Sequence, residues 1–329
     1  MKQIVTHNLY DVFNHSNVLF NPDSPYNHDN LLQPFHHLKK HLASQGYNLV
    51  PIAEGDPVFC DYLLFFDMPP FILTAENSYF TKYLASESFR RKMLLVLFEP
   101  PVVYEPNYIA SNHRYFSKVL TWMDDLLVDE KYVKFHWPQS NTRYPRIPFE
   151  QKKNCVLINS DLFSSHNLEL YSERRRAIRF FEQRCPDEFD LFGKNWSSAA
   201  YPSYRGTVAS KGEILPHYKF SICYENAREL NGYITEKIFD CFHASCVPIY
   251  YGAANIEKYI PADTFIDFRK FPDYDSLYAH ISAMSAEEHE AYLDRVEQFL
   301  ASPAYLSNFT QDAFSHKIIE TILEMGQNR

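Results

Sequence analysis

Glu236 and Lys237 place a carboxylate and an ammonium group at the start of a predicted helix, directly after Thr235, a residue type that caps helices well. A cation in the first helical turn opposes the positive end of the helix dipole, where acids are preferred. The position becomes favourable when an anion lies between the lysine and the free backbone N–H groups, as in phosphate binding at helix starts. These residues therefore indicate a phosphate site, with a solvated lysine as the alternative.

Arg174 is a second candidate for binding an anion. It lies in a predicted helix of about residues 168–184, four and seven residues before Ile178 and Phe181, and therefore on the apolar stripe. A charged residue in line with a buried stripe needs a partner. The alternative is a basic helix face in solvent, which is our interpretation of three neighbours: Arg175, Arg176 and Arg179.

Glu99 is the candidate for a carboxylate that takes up a proton. It follows the continuous apolar run Met93–Phe98, which is typical of a strand buried on both faces. Pro100 and Pro101 then fix the direction of the chain. A carboxylate at the carboxyl end of such a strand faces the ligand crevice of an α/β sheet. The alternative is an ordinary solvated glutamate at a strand end.

Alternating strands and helices would position these residues. Strands are predicted at Phe220–Tyr224 and Val247–Tyr251, on either side of the helix that begins after Thr235. Further strands are predicted at Asn48–Ile52, Tyr62–Phe66, Val119–Trp122, Cys155–Asn159 and Phe189–Phe192. Helices are predicted at Ala286–Leu300 and Gln311–Met325. Such an alternation is typical of an α/β fold.

The stretch Trp137–Lys153 is rich in proline and charge, and is the best candidate for a linker. A chain of 329 residues is long enough for two domains, each with its own core. We therefore predict an N-terminal α/β domain over residues 1–145. A second α/β domain, which ends in a helical tail, is predicted over residues 146–329.

Several motifs together resemble a known family, the α-1,3-fucosyltransferases of glycosyltransferase family 10, in a bacterial, soluble form. The motifs occur in the order and near the spacing of that family. They are LLVLFEPPVVYEPNY at 94–108, YSERRRAIRFF at 171–181, FDLFGKNW at 189–196, and then YKFSICYEN, GYITEKIFDCF, VPIYYGA and YIPADTFIDFR. The first 90 or so residues carry no comparable motif.

The resemblance implies the GT-B type of glycosyltransferase fold, in which two Rossmann-like domains face a cleft. It also implies transfer of L-fucose from GDP-fucose, with inversion, to a hydroxyl of an N-acetylglucosamine-containing glycan, by an α-1,3 linkage. Glu99 would then be the general base, and Lys237 and Arg174 would stabilise the leaving diphosphate. Glu236 would contact the ribose or fucose of the donor and is a second catalytic candidate. The other donor-binding candidates are Asn226, Tyr233 and Thr235.

Composition narrows the other possibilities. The net charge of −9 argues against a nucleic-acid partner, which requires a basic surface. No run of 18 apolar residues occurs, so no transmembrane segment is expected, and contact with the surface of a membrane stays open. The six cysteines form no C-x-x-C pair and are predicted to be free, buried thiols. They favour a cytoplasmic bacterial enzyme over a shortened form of a longer protein.

A metal ion is not expected to be required. The string Asp273-Tyr-Asp275 could hold a metal and a diphosphate in another glycosyltransferase fold, but its position after Phe271-Pro272 is typical of a helix start. Asp124-Asp125 is interpreted as a strand-end or turn pair, and His36-His37 lacks other ligands at metal spacing. Two alternatives remain for the function: transfer from another nucleotide sugar, and a non-catalytic carbohydrate-binding protein.

Overall fold

The computed structural model describes residues 1–73, 81–140 and 142–327. The chain forms two compact units. The first combines Met1–Ser140 with Ser307–Arg329, and the second is Asn141–Leu306. The division near residue 140 lies within the predicted linker. The predicted limits of 1–145 and 146–329 nevertheless misplace the C-terminal helix, which packs in the first unit.

The first unit contains a six-stranded parallel sheet in the order β2-β1-β3-β4-β5-β6. Its strands are β1 (Lys2–Asn8), β2 (Tyr47–Pro51), β3 (Tyr62–Phe66), β4 (Met93–Leu97), β5 (Lys118–Thr121) and β6 (Tyr132–Lys134). Every residue of β3 and of β4 is buried, which explains their continuous apolar sequences. The prediction of buried parallel strands here is confirmed.

The second unit contains a five-stranded parallel sheet in the order β11-β10-β9-β7-β8. Its strands are β7 (Lys153–Ile158), β8 (Phe189–Phe192), β9 (Tyr218–Tyr224), β10 (Val247–Tyr251) and β11 (Ile266–Asp267). The β9 and β10 strands are neighbours, with Tyr224 opposite Tyr251. Their carboxyl ends therefore lie side by side, at the edge where α/β sheets bind ligands.

The described part of the chain contains eleven α-helical segments, four of which follow the last strand. The four-residue segments are α2 (Pro70–Leu73), α3 (Thr81–Leu84), α4 (Glu87–Arg90), α6 (Lys211–Ile214) and α10 (Pro303–Leu306). The longer helices are α1 (Gln33–Ser44), α5 (Tyr171–Arg184), α7 (Glu236–His243), α8 (Tyr274–Ala283), α9 (Ala286–Leu300) and α11 (Gln311–Gln327). Among the helices of the described residues, none combines the length and apolar character needed to span a bilayer.

The last helix, α11, packs against α1 in the first unit. Its apolar residues, including Phe314 and Ile318, are buried. Polar contacts add to the packing, since His37 lies 3.0 Å from the Ser315 hydroxyl and 2.8 Å from an Asp312 carboxylate oxygen. This apolar surface explains why the helix returns to the first unit although it follows the second unit in the chain.

Candidate active site

Thr235 caps α7, and a buried carboxylate from the preceding strand holds it in place. The Thr235 side chain accepts a hydrogen bond from the Lys237 N–H at 3.4 Å, as predicted for an N-cap. Glu225, directly after β9, is fully buried and accepts hydrogen bonds from the Thr235 N–H at 2.9 Å and hydroxyl at 2.8 Å. Glu225 therefore fixes the helix start relative to the strand end.

Gly252, directly after β10, allows this close approach. A Cβ atom at residue 252 would lie 2.6 Å from Glu225 Cγ and 2.4 Å from the Tyr250 hydroxyl, closer than packed atoms come. The Tyr250 hydroxyl in turn donates to the Tyr233 carbonyl at 3.3 Å. Tyr233 is 1% exposed, so this predicted donor-binding residue lies within the packed wall of the site.

Lys237 lies among acceptors at the helix start. Its Nζ is 3.1 Å from the Thr235 hydroxyl, 3.3 Å from a Glu236 carboxylate oxygen and 3.4 Å from one of Glu225. Burial alone would lower the pKa of Lys237, but the charges of Glu236 and Glu225 outweigh burial and raise it. Because its side chain is only 14% exposed, the alternative of a solvated lysine is wrong. The carboxylates of Glu225 and Glu236 therefore supply part of the negative charge that the sequence predicted beside Lys237.

Glu236 keeps more contact with solvent than Glu225. Its side chain is 23% exposed and lies between two cations, with Lys211 Nζ at 3.8 Å and Lys237 Nζ at 3.3 Å. Burial raises the pKa of Glu236, but the two lysines more than offset this and hold it below its usual range. Glu236 is therefore an ionised acceptor at the surface of the site.

Arg174 is almost completely buried, at 2% exposed, as its position on the apolar stripe predicts. It donates to the Tyr224 carbonyl at 2.7 Å and to Asn226 Oδ1 at 3.0 Å, so it lies directly beside the β9 end. Its Nε is buried without a hydrogen-bond partner, and burial lowers its pKa. Among the described residues no carboxylate forms an ion pair with it. Such a guanidinium can donate hydrogen bonds to a further, anionic partner.

The three neighbouring arginines occupy different surroundings, as predicted. Arg176 and Arg179 are 72% and 48% exposed at the side chain. Arg175 is 33% exposed and pairs with Asp161 at 2.6 Å. The sequence therefore distinguished the one buried arginine of this helix from its neighbours. The structure brings five of the predicted donor-site residues together around the β9 end and the α7 start: Arg174, Asn226, Thr235, Glu236 and Lys237.

Glu99 lies in the first unit, two residues beyond β4. Its side chain accepts a hydrogen bond from the Tyr10 hydroxyl at 2.6 Å. Its backbone N–H donates to Asp67 Oδ1 at 3.0 Å, and its carbonyl accepts from the Asn107 side chain at 3.0 Å. The backbone of Glu99 is therefore held at the end of the strand, and its carboxylate is held by a tyrosine.

Asp67 is a second carboxyl group at this edge, and our interpretation of the sequence missed it. It directly follows β3, the neighbour of β4, and adopts a left-handed backbone with φ of 65°. Its Oδ1 also accepts from the Phe98 N–H and the Asn107 side chain, both at 2.7 Å. Burial first, and then the charge of Glu99, raise the pKa of Asp67 to about 7. An aspartate directly after a buried apolar run was the available signal.

A pocket of about 150 Å³ adjoins these two carboxyl groups in the first unit. Tyr10 and Asn8 complete its polar residues, and most of its remaining lining is aromatic or aliphatic. A carboxylate that a hydroxyl holds at the edge of a pocket can take a proton from a bound hydroxyl group.

Three further sequence interpretations, on two acidic pairs and the cysteines, can be compared with the structure. Asp273 caps α8 and accepts from the Ser276 N–H at 2.8 Å, which confirms the helix-start interpretation. Asp124 lies in a short turn and pairs with Lys134 at 2.6 Å. All six cysteines are free and buried, as predicted. No cluster suited to a metal ion occurs within the residues that the structure describes.

The chain has the GT-B type of glycosyltransferase fold, with two α/β units that each contain a parallel sheet. A solved α1,3-fucosyltransferase aligns over 98% of this chain and 90% of its own, at 18% identity and a TM-score of 0.57. The structure of an α1,3-fucosyltransferase with GDP-fucose aligns over the same shares, at 15% identity and a TM-score of 0.55. At these identities the likeness concerns the fold.

Residues 149–299 match the family described as glycosyltransferase family 10 (fucosyltransferase), C-terminal part. The α-(1,3)-fucosyltransferase FucT of Helicobacter pylori is 33% identical over 124 residues, which are 36% of this chain and 25% of that protein. The chain thus aligns with about a quarter of the length of this curated relative. This part of the chain, which contains the β9 end and the α7 start, belongs to glycosyltransferase family 10.

Proposed function

We propose that the chain is an inverting α-1,3-fucosyltransferase that moves L-fucose from GDP-fucose to a hydroxyl of an N-acetylglucosamine-containing glycan. The buried guanidinium of Arg174, which has neutral acceptors and an unpaired Nε near the α7 start, carries this assignment. A buried cation in this condition favours a strongly anionic ligand such as a diphosphate. The family of residues 149–299 and its GDP-fucose-binding structural neighbour support the nucleotide sugar.

In the proposed reaction Glu99 takes the proton of the acceptor hydroxyl. The acceptor oxygen forms a bond to the anomeric carbon of fucose as the bond to the diphosphate breaks, and GDP leaves with the electron pair. Arg174 and Lys237 stabilise the negative charge that develops on the departing oxygen. Glu236 and Asn226 accept hydrogen bonds from the donor, while Thr235 and Tyr233 hold the helix start and wall in place.

Two cationic side chains and a helix start supply positive charge at the leaving group, so we propose that turnover needs no metal ion. These groups would stabilise the negative charge on the leaving diphosphate, which a divalent cation does in other transferases. Turnover should therefore survive exhaustive chelation. Loss of activity in EDTA, with recovery in manganese or magnesium, would contradict this part of the proposal.

We also infer a reducing, cytoplasmic location from the six free thiols, because buried unpaired cysteines are typical of that environment. Contact with the inner face of a membrane and a role in lipopolysaccharide or protein glycosylation are part of the same proposal. Protease protection tests the compartment: a cytoplasmic protein should resist added protease in intact cells and in spheroplasts, and become digested only after the inner membrane is opened.

Product analysis tests the proposed function most directly. The protein is incubated with N-acetyllactosamine and, in separate reactions, GDP-fucose, GDP-mannose and UDP-galactose, and the products are examined by mass spectrometry and NMR. We expect a fucosylated product from GDP-fucose alone, with the new bond at O3 of N-acetylglucosamine. Transfer from another donor would favour a related glycosyltransferase, and binding without transfer in a broad acceptor panel would favour a carbohydrate-binding protein.

A further inference from the structure

The polar residues of the pocket beside Glu99 form one continuous wall. The Asn8 side chain accepts from the Tyr10 N–H at 2.8 Å, the Tyr10 hydroxyl donates to Glu99 at 2.6 Å, and the Glu99 N–H donates to Asp67 at 3.0 Å. Because each residue is hydrogen-bonded to the next, the polar groups lie together on one side. The hydroxyl groups of a ligand would therefore find their hydrogen-bond partners along that wall.

The rest of the lining is apolar. It includes Phe13, Leu19, Leu31, Phe35, Phe98 and Trp137. Several of these rings pack against each other, with Phe98 at 5.0 Å from Trp137 and 5.9 Å from Phe35 between ring centroids. Apart from the indole N–H of Trp137, these side chains offer no hydrogen-bond partner to a sugar hydroxyl, and a buried hydroxyl without a partner costs about 1–3 kcal/mol in proteins. A bare sugar therefore does not suit most of this pocket.

We propose that this pocket binds an apolar aglycone of the acceptor, so that the substrate class is a glycan joined to an aryl or alkyl group. The inference rests on the proposed function, because it takes Glu99 as the group that meets the acceptor hydroxyl. The sugar hydroxyls then lie along the polar wall, and the apolar group enters among the aromatic and aliphatic side chains.

The size of the pocket agrees with such a group. A dry apolar cavity of roughly 150 Å³ accommodates a molecule the size of benzene. The methyl of an N-acetyl group would fill only a small part of this volume, and its amide would need polar partners away from the wall. A phenyl or benzyl aglycone, or an alkyl chain of similar volume, fills it without burying unsatisfied polar atoms.

Matched acceptors test the proposal. The methyl and benzyl β-glycosides of N-acetyllactosamine share the same reacting sugar and differ only in the aglycone. Each buried methylene contributes a factor of roughly four to binding. We therefore expect the benzyl glycoside to have a KM at least about tenfold lower than the methyl glycoside, with the KM for GDP-fucose equal in the two assays.

A variant at the pocket links this preference to the structure. Leu31 is 50% exposed and lines the pocket, so Leu31→Asp places a charge there with little effect on folding. We expect the ratio of the two KM values to fall towards one. Leu127 is 37% exposed in the same unit but lies outside the pocket lining, and Leu127→Asp is the matched control that keeps the ratio.

The outcomes separate this inference from the proposed function. Equal KM values for the two glycosides, with fucose transferred to both, overturn the inference and leave the fucosyltransferase assignment intact. A preference that Leu31→Asp does not change also overturns it. If no acceptor is fucosylated, the proposed function fails. The pocket proposal is then decided by calorimetry with the two glycosides: tighter binding of the benzyl form supports it, and equal binding overturns it.

A third acceptor tests the main alternative, in which the pocket binds the N-acetyl group of the acceptor. Methyl β-lactoside lacks the N-acetyl group but keeps the rest of the methyl N-acetyllactosaminide. If loss of the N-acetyl group raises KM more than tenfold while the benzyl group has no effect, the pocket recognises the N-acetyl group, and the proposal of an apolar aglycone is wrong.

Discussion

Arg174 carries a positive charge that is almost entirely removed from water, and its hydrogen-bond acceptors among the described residues are neutral oxygens. A buried charge is costly unless it is compensated by hydrogen bonds and an opposite charge. The nearby Glu225 is committed to Thr235 and Lys237. Under the proposed function, the diphosphate of the donor would complete the charge balance at this position, so substitution of the arginine is a direct test of the site.

Replacing either proposed phosphate-binding side chain should weaken GDP binding. Charge-assisted contacts contribute roughly 1.5–3 kcal/mol, so Arg174→Ala and Lys237→Ala should each weaken binding by about one to two orders of magnitude. Arg176→Ala, on the same helix but 72% exposed, is the control and should leave affinity unchanged. Calorimetry with GDP measures all three. Wild-type affinity in both test variants would remove the phosphate-site assignment.

Glu99→Gln separates catalysis from binding. A general base typically contributes a factor of about 10²–10⁴, so kcat should fall by that amount while GDP affinity stays near that of the wild type. Glutamine is nearly isosteric and can still accept from the Tyr10 hydroxyl, so the packing should persist. Glu105→Gln, in the exposed turn that follows, is the control and should cost much less. Full turnover of Glu99→Gln at saturating substrates would assign the base elsewhere.

Asp67→Asn tests whether the second carboxyl group adds a pH dependence at the proposed base. The pKa of Asp67 is raised to about 7, and the charge of Glu99 is one cause of this shift. As the pH rises through that value, Asp67 therefore adds a second negative charge beside Glu99. Asparagine tolerates the positive φ and keeps an acceptor oxygen, but removes the charge.

We therefore expect the kcat/KM profile of the wild type to change near pH 7, and this change to be lost in Asp67→Asn. Asp61, at the opposite end of β3, accepts from the Gln3 N–H at 2.8 Å and provides a matched control. Asp61→Asn should keep the change near pH 7. A profile of Asp67→Asn that still changes near pH 7 would assign that titration to another group.

At the scale of elements, the short α7 depends on its contact with the β9 end. Thr235 both caps the helix and satisfies the buried Glu225 carboxylate. Thr235→Val keeps the shape but removes the hydroxyl, and with it both the cap and one of the hydrogen bonds to the buried Glu225 carboxylate. We expect a loss of about 2–3 kcal/mol in the free energy of unfolding.

Thr235→Ser keeps the hydroxyl and is the matched control, which should lose much less stability. Urea unfolding monitored by circular dichroism measures both variants. Equal stability of the valine and serine variants would show that the hydroxyl contributes no net stability at this helix start.

The sequence predicted these elements well where hydrophobic pattern alone decides them. The strands Tyr62–Phe66 and Val247–Tyr251 and the helix Ala286–Leu300 agree residue for residue with the structure. The strand Lys2–Asn8 was missed because only Ile4 and Val5 supply apolar side chains, although the strand lies between two others in the sheet. Its burial follows from its neighbours rather than from its own composition.

Site residues could be predicted from the sequence where they are contiguous. They could not be predicted where the pairing of distant strands brings them together. Thr235, Glu236 and Lys237 are contiguous, so capping rules identified the helix start. Asp67 and Glu99 are 32 residues apart and meet only because β3 and β4 are neighbours in register. The sequence did not distinguish between a structural and a functional role for Glu225. Its hydrogen bonds from Thr235 show that it supports the helix start.

At the scale of the whole molecule, the chain leaves the first unit near residue 140 and returns to it at residue 307. From its position in the sequence, α11 was predicted to belong to the second unit. Its apolar residues instead pack in the first unit. The α11 helix covers apolar surface of the first unit together with α1, so the fold of that unit is complete only when the last residues of the chain are in place.

A charge on the buried face of α11 should therefore disable the unit that contains Glu99 and spare the unit that contains Arg174. Ile318 is fully buried, and Ile318→Asp would bury an unpaired carboxylate, which is among the most destabilising substitutions. We expect transfer activity to be lost while GDP binding by calorimetry persists, and thermal unfolding to separate into two steps. Leu323→Asp, on the same helix but at a side chain that is 48% exposed, is the control and should retain both functions. Parallel loss of GDP binding and activity in Ile318→Asp would mean that the second unit cannot keep its fold without α11.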